Sequence, residues 1–408
     1  MLKRVLHSVN SRLRALPALN RAAYVELRRD RAGGHSLSED PEDHLIAAVE
    51  WVTRGQDATP DDGVARAYSL AWDPYFRLKG WQPSYPETTG YIIPTLCDAA
   101  IHLQRPDLHQ RALRMADWEI NVQLPNGAVQ GGMIGEQTKP TPAVFNTGQV
   151  IFGLLRAHRE TGQAKYVDAA TRAGRYMISA QALDGSFHRG RSAMARADCT
   201  TYYARAAWGL CELGVYTNEL QFTAAGIRNI EYALSQQTPN GWFHLNCLND
   251  PQRPLLHTIA YTIEGILGAG LLLRRDDFVM AAQRSCLALA QKQRADGGLS
   301  GRFAQDWAPQ VTWDCLTGDA QMAICWWRLG EVTDNAELRD RARRICQFVM
   351  RTQNRTSSNP GIAGGIKGSF PVDGEYGRFQ VLNWATKFFI DALLLTSPRR
   401  NGALTSSN

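Results

Sequence analysis

The chain reads as an all-α protein, an (α/α)6 toroid of six inner and six outer helices with a basic helical extension at its N-terminus. Two observations predict it. The phrase Gln-x-x-Asn/Asp-Gly recurs as Gln123-Leu-Pro-Asn126-Gly127, Gln181-Ala-Leu-Asp184-Gly185, Gln237-Thr-Pro-Asn240-Gly241 and Gln293-Arg-Ala-Asp296-Gly297, with a looser copy that starts at Gln353 and resumes at Gly364-Gly365. Successive glutamines are 58, 56, 56 and 60 residues apart, a regularity that demands a repeated structural unit. Within each unit an amphipathic segment ends at the glutamine, and a more uniformly apolar segment follows the loop. So long a period favours a ring that closes on itself over an open solenoid, the competing architecture.

In order, residues 1–36 are expected to form a basic amphipathic arm, 37–398 the toroid and 399–408 a flexible tail. Residues 1–31 hold eight basic side chains (Lys3, Arg4, Arg12, Arg14, Arg21, Arg28, Arg29, Arg31) against Glu26 and Asp30, which accounts for the whole net charge of +6. The body is therefore neutral, which disfavours nucleic acid as a partner. Val5, Leu6, Val9, Leu13 and Leu16 fall at helical spacing in the arm and suit contact with an anionic membrane surface, with Pro17 limiting the length; the alternative is a helix packed on the outside of the body.

The outer helices are expected at 41–54, 107–123, 165–181, 220–237, 276–292 and 336–353. The segment 276–292 shows why: Phe278, Val279, Ala282, Cys286, Leu287 and Leu289 share one face and charges the other. The inner helices, apolar on more than one side, are expected at 88–103, 147–160, 201–215, 257–273, 318–330 and 381–396. Eight cysteines stand singly among apolar residues, as reduced core thiols do. No apolar run approaches the roughly 18–20 residues that cross a bilayer, and the N-terminus lacks a cleavable leader pattern. The expected location is cytoplasmic, peripheral at the inner membrane if the arm binds there.

The fourth inner helix carries His257, Tyr261 and Glu264 at i, i+4 and i+7, a polar stripe on an apolar helix that must meet a network, water or a ligand. In a toroid the loops gather at one mouth, so residues near the inner-helix starts face a shared cavity. Glu87, His257, Tyr261, Glu264, Asp314 and Asp319 form the catalytic pool. Tyr85, Tyr91, Asn146, His188, Arg189, Tyr202, Tyr203, His244, Trp307, Trp313, Asn383 and Lys387 form the binding pool, because sugar C–H faces stack on rings while hydroxyls need carboxylates and amides. Structural readings compete. Glu87, Asp314 and Asp319 suit helix N-terminal turns, and Lys387 can pair with Asp391. The recurring Asn126, Asp184, Asn240 and Asp296 are turn residues.

The repeats resemble those of squalene cyclases and protein prenyltransferase β-subunits, and the stretch Gly80-Trp-Gln-Pro-Ser-Tyr85-Pro-Glu87-Thr-Thr-Gly-Tyr91-Ile-Ile-Pro94 resembles uncharacterised proteins associated with bacterial polysaccharide synthesis. The first resemblance implies a toroid. It does not extend to the chemistry, since no Asp-x-Asp-Asp run occurs and no His follows His257 to complete a zinc site with Asp314 and Cys315. The second implies a glycan context.

No nucleotide-binding glycine loop is present, and neither cofactor nor metal is expected. Glycoside hydrolysis would draw on paired carboxylates from Glu87, Glu264, Asp314 and Asp319. A polysaccharide lyase or uronate C5-epimerase would instead use His257, Tyr261, Tyr202 or Tyr203 as base, with Arg189 or Lys387 neutralising the uronate. The reading is a carbohydrate-active enzyme on a bacterial, acidic polysaccharide or its lipid-linked precursor, with hydrolysis ahead of elimination or epimerisation. A non-catalytic glycan-binding or scaffold protein is the alternative from another class.

Overall fold

The computed structural model describes residues 20–34, 40–135, 139–190, 195–196, 198 and 200–397. The membrane-facing pattern at residues 5–16 and the tail at 399–408 lie outside them.

Six outer helices, α2 (Pro41–Asp57), α4 (Pro106–Val122), α6 (Ala164–Ala180), α8 (Leu220–Ser235), α10 (Asp276–Ala290) and α12 (Ala336–Thr352), alternate with six inner ones, α3 (Pro86–His102), α5 (Val144–Thr161), α7 (Ala204–Thr217), α9 (Leu256–Leu273), α11 (Leu316–Val332) and α13 (Asn383–Thr396). Each inner helix packs on the next, and α13 packs on both α3 and α2, so the ring is closed. Proline at the first turn starts α2, α3 and α4, where a missing N–H costs nothing. The inner helices approach closely at glycines: a Cβ on Gly153 would sit 2.1 Å from the Gly90 carbonyl oxygen, and one on Gly265 2.3 Å from the Ala204 carbonyl carbon.

The repeated phrase proves to be a staple. Nε2 of Gln123 donates to Gly127 O in its own turn and to Ala169 O on the next outer helix, both at 2.9 Å. Gln181 does the same with Gly185 O (3.1 Å) and Ala225 O (2.8 Å), and Gln293 with Gly297 O and Arg341 O (3.0 Å each). Gln237 reaches Ala281 O at 2.8 Å. Gln353 closes the circle, bonding Gly364 O (2.6 Å) and His44 O on the first outer helix (3.2 Å). A sixth copy, invisible as a motif, is Gln56, whose amide reaches Asp62 O (3.0 Å) and Arg111 O (3.3 Å). The turn glycine must be glycine: Gly127 has φ +87°, and a Cβ there would lie 2.3 Å from Arg172 O.

Short strands add to the all-helical expectation. β1 (Ala67–Asp73) pairs antiparallel with both β2 (Leu78–Trp81) and β5 (Gln380–Leu382), fastening the first loop to the last, while β3 (Asp314–Cys315) pairs with β4 (Ser369–Phe370). Helix α1 (Arg21–Arg31) docks on the body. Its acids face inward, where Lys367 Nζ lies 2.8 Å from Glu26 and 2.5 Å from Asp30, all three buried. Arg31 pairs with Asp373 at 2.7 Å. The second half of the basic segment is thus committed to the toroid.

One expectation needs correction. Helix α9 spans 18 residues with mean hydropathy 1.4, long and apolar enough to cross a bilayer by length and composition; here 83% of it is buried within the ring. Seven cysteines are buried and free of disulfides, and Cys199 falls outside the described residues.

Gln353→Ala should destabilise the protein by about 1–3 kcal/mol, because a buried side chain holding two segments is removed and Gly364 O loses its donor; urea unfolding measures it, and an unchanged midpoint would show that the ring closes without this bond.

Candidate active site

The inner helices all begin at one mouth of the ring, and a cavity of about 150 Å³ opens there, walled by Tyr85, Glu87, Phe145, Asn146, Tyr202, His257, Tyr261, Tyr376, Trp384 and Arg66. Its floor is aromatic: Phe388 lies 5.7 Å from Tyr91 and 5.8 Å from Tyr261, ring centre to ring centre. The hydroxyls of Tyr91 and Tyr261 interact with each other. Because the floor closes the axis, the cavity is a dead-end pocket.

Glu87 stands in the first turn of α3. Tyr85, the residue before the helix, donates its hydroxyl to Glu87 Oε2 at 2.6 Å and accepts from Asn146 Nδ2 at 3.2 Å. The carboxyl keeps some surface open to the cavity yet lies deep between helix ends. Burial pushes its pKa from 4.5 to about 7, against the opposing pull of the Tyr85 hydrogen bond and the Arg66 charge. Near neutrality it is therefore poised to give or take a proton.

His257 is the opposite case. Burial lowers its pKa to about 4, although Gln321 and Glu264 favour the charged form, so the imidazole is neutral. Its Nδ1 lies 2.7 Å from Gln321 Oε1, and Gln321 Nε2 lies 3.5 Å from Glu264 Oε2. A carboxylate only accepts, so the amide nitrogen turns to Glu264 and the amide oxygen to the ring. Nδ1 thus carries the proton and Nε2 keeps its lone pair, a base held in one tautomer. Tyr261 stacks beside it at 4.2 Å and Tyr376 at 5.4 Å.

Arg66 brings positive charge to the wall. It lies between Phe76 (4.6 Å) and Trp384 (4.8 Å), and donates to the neutral amides of Gln82 (2.9 Å) and Gln380 (3.3 Å). Its guanidinium stands on the cavity wall, where it can meet an anionic group.

The structure brings together Tyr85, Glu87, Asn146, Tyr202, His257 and Tyr261 from the expected set. It separates the rest. Glu264 lies beneath the floor with Lys387 and Tyr91, lining a second cavity at the opposite mouth. Burial would raise Glu264, but Arg205 at 3.3 Å, helped by Lys387 and Arg328, holds it below the usual range. Lys387 pairs with Asp391 at 2.5 Å. Asp314 binds Arg294 at 2.6 Å and Asp319 accepts from Leu299 N at 3.2 Å; neither lines either of these two cavities, although burial raises both and takes Asp314 to about 7.

The remaining binding candidates serve structure or the surface. His188, Arg189 and His244 are exposed away from the pocket. Tyr203 packs behind the wall against Phe145 and Phe187. Trp307 is buried and donates to Asn240 O at 3.0 Å, while Trp313 sits half-buried beneath Arg302. Asn383 ties α13 to Ala65 O (3.0 Å) and Thr88 (2.7 Å). Arg66, Tyr75, Phe76, Phe145 and Trp384 were missed. Arg66, Tyr75 and Phe76 come from the β1–β2 region, which carries no repeat signal, and Phe145 and Trp384 read as ordinary inner-helix core.

No protein-family model matches the chain, and no curated protein matches it in sequence. The resemblance of the repeats to those of squalene cyclases and prenyltransferase β-subunits therefore has no family support. Solved structures do match in fold. An unsaturated glucuronyl hydrolase specific for heparin is similar over 88% of this chain and 96% of its own, with TM-score 0.69 and 13% identity. A cellobiose 2-epimerase from Bacillus thermoamylovorans is similar over 90% and 98%, with TM-score 0.66 and 10% identity. A sugar epimerase from a ruminal bacterium matches over 86% and 97%, with TM-score 0.69 and 11% identity. At such identities these likenesses establish the (α/α)6 toroid.

The two shifted groups give opposite pH signatures. Glu87 holds its proton more tightly folded than unfolded, so wild type should lose stability as pH rises from 4.5 to about 7, and Glu87→Gln should make that slope shallower, the share due to Asp314 remaining. His257 holds its proton less tightly folded, so stability should fall as pH drops from 6.5 to about 4, a loss reduced in His257→Gln. Melting temperatures across pH 4–8 measure both.

Proposed function

We propose that this chain is a glycoside hydrolase that removes an acidic sugar from the end of a bacterial polysaccharide or its lipid-linked precursor. The observation that carries the reading is Glu87, a carboxyl that retains a proton near neutrality inside a dead-end pocket walled by aromatic rings and Arg66. A pocket closed beneath admits a chain end, not a chain passing through. The aromatic faces of Tyr202, Phe145 and Trp384 offer stacking to a sugar ring, and Arg66 offers charge to a uronate carboxylate. Glu87 would protonate the glycosidic oxygen as its bond to the anomeric carbon breaks. Neutral His257 would take a proton from the attacking water through Nε2, the water oxygen forming the new bond at that carbon. Support also comes from the names of the structural neighbours, a glucuronyl hydrolase and sugar epimerases.

A second reading, epimerisation or elimination at a uronate carbon, is favoured by one specific observation. Among the described residues Glu87 is the only carboxylate on the pocket wall, whereas paired-carboxylate hydrolysis draws on two. In that reading His257 would abstract the carbon-bound proton, with Arg66 stabilising the resulting negative charge. The proposed setting, cytoplasm beside the inner membrane, rests on Lys3, Arg4, Arg12 and Arg14 with their apolar neighbours, since Arg21–Arg31 is occupied by the body.

Incubation with acidic oligosaccharides in ¹⁸O-water and in D₂O separates the readings. Hydrolysis puts ¹⁸O at a new reducing end, epimerisation puts deuterium on carbon at unchanged linkage, and elimination yields an unsaturated end absorbing in the near ultraviolet. A scaffold would give none of these. Glu87→Gln should lower kcat by about 10²–10⁴-fold while KM changes little. Wild-type activity should decline as pH rises through about 7, where Glu87 loses its proton. Arg66→Ala should raise KM for uronides and leave KM for neutral sugars nearly unchanged; equal effects on both would remove Arg66 from carboxylate recognition.

A further inference from the structure

The ring has a second cavity. At the mouth opposite the proposed active site, the inner helices surround a space of about 880 Å³, divided from the first by the Tyr91, Tyr261 and Phe388 floor. Buried charge lines it. Four of its acids are each matched by a cation: Asp98 by Arg156 (2.6 Å), Asp391 by Lys387 (2.5 Å), Glu212 by Arg159 (3.4 Å) and Glu264 by Arg205 (3.3 Å). Glu42, the other acid on the wall, is not free either.

The donors that remain point one way. Arg205 is 3% exposed, and its Nη1 has no hydrogen-bond partner; neither has Nε1 of Trp208, also buried. Arg205 lies over the Trp208 ring at 4.7 Å and Arg328 over the same ring at 5.6 Å. Arg328 forms no ion pair with any described carboxylate. Two guanidiniums and an indole N–H therefore converge around one ring, and all of them can only donate. Leaving a buried guanidinium N–H and an indole N–H unsatisfied is costly, so such a cluster is built for an acceptor that the chain itself does not supply. Phe152 packs edge-on to Trp208 at 5.0 Å, which gives the cluster an apolar flank.

We propose that this cavity is a second ligand site, separate from the Glu87 pocket, which binds an organic oxyanion, a phosphate or a carboxylate, through Arg205, Trp208 and Arg328. The anion accepts from Arg205 Nη1 and Trp208 Nε1, and Arg328 supplies a cation that none of the four ion pairs uses. A cavity of this volume holds more than the anionic group, so the natural ligand carries an organic body beside it.

Isothermal titration of the full chain with inorganic phosphate and, separately, with glucuronate tests the site without any assay of turnover. At least one anion should bind saturably, and which one binds decides whether the recognised group is phosphate or carboxylate. Arg328→Ala removes a cation that forms no ion pair with a described carboxylate, and should weaken binding about tenfold or more. Trp208→Phe keeps the ring, removes only the N–H, and should weaken binding severalfold; it remains informative if Arg328→Ala does not fold. Arg66→Ala removes any glucuronate held in the other pocket, and should leave unchanged both phosphate binding and the glucuronate binding that depends on Arg328 and Trp208. Absence of saturable binding by either anion would overturn the proposal. So would binding indifferent to Arg328→Ala and Trp208→Phe, or binding abolished by Arg66→Ala.

Discussion

A primary amide has two N–H donors, and the architecture depends on how this chain spends them. At the end of an outer helix one donor satisfies the turn that follows and the other reaches a backbone carbonyl of the next outer helix, as in Gln123, Gln181 and Gln293. The carbonyl oxygen of the same amide accepts from an arginine of the neighbouring helix, Arg172 to Gln123 at 2.6 Å and Arg228 to Gln181 at 2.7 Å. Each staple sets the spacing and tilt of one helical hairpin against the next. Repeated six times, a constant tilt returns the chain to its start, where Gln353 meets His44.

The closed ring explains the electrostatics at its axis. Inner helices drawn together at glycines leave room for aromatic side chains and little water, so polar groups there are desolvated from every side. Desolvation penalises charge of either sign, which is why the same surroundings keep Glu87 protonated and His257 neutral. The acid and the base thus come from one cause. Glu264 escapes it because Arg205 stands against it below the aromatic floor. Through Gln321 that carboxylate still sets which nitrogen of His257 bears the proton, so a residue of the far cavity positions a group of the near one.

The polar stripe on the fourth inner helix shows where linear reading stops. Spacing of i, i+4 and i+7 puts His257, Tyr261 and Glu264 on one side, and the structure keeps them there. Yet Glu264 is two turns below His257, about 10 Å along the axis at 1.5 Å per residue. Helical periodicity specifies a face and says nothing of where a floor crosses it. Asp314, Asp319 and Asn383 mark a similar limit. Acids and amides near inner-helix starts are equally suited to a ligand or to a neighbouring backbone, and here they bind Arg294, Leu299 N and Ala65 O.

The sequence by itself determined the repeat, the alternation of outer and inner helices and nearly all their bounds, because these follow from local periodicity and from a turn that only Gly, after Asn or Asp, readily makes. It also pointed to Glu87, Tyr85, Asn146, Tyr202, His257 and Tyr261, which stand at inner-helix starts where any toroid must gather them. Tertiary structure alone decided that the hollow is divided in two, that Arg66 reaches the first half from the residue before β1, that Gln56 completes the set of staples, and that α1 turns its acids inward to Lys367. Each of these joins residues far apart in the chain, so the physics that settles them, shared burial and pairing across the ring, leaves no periodic trace along it.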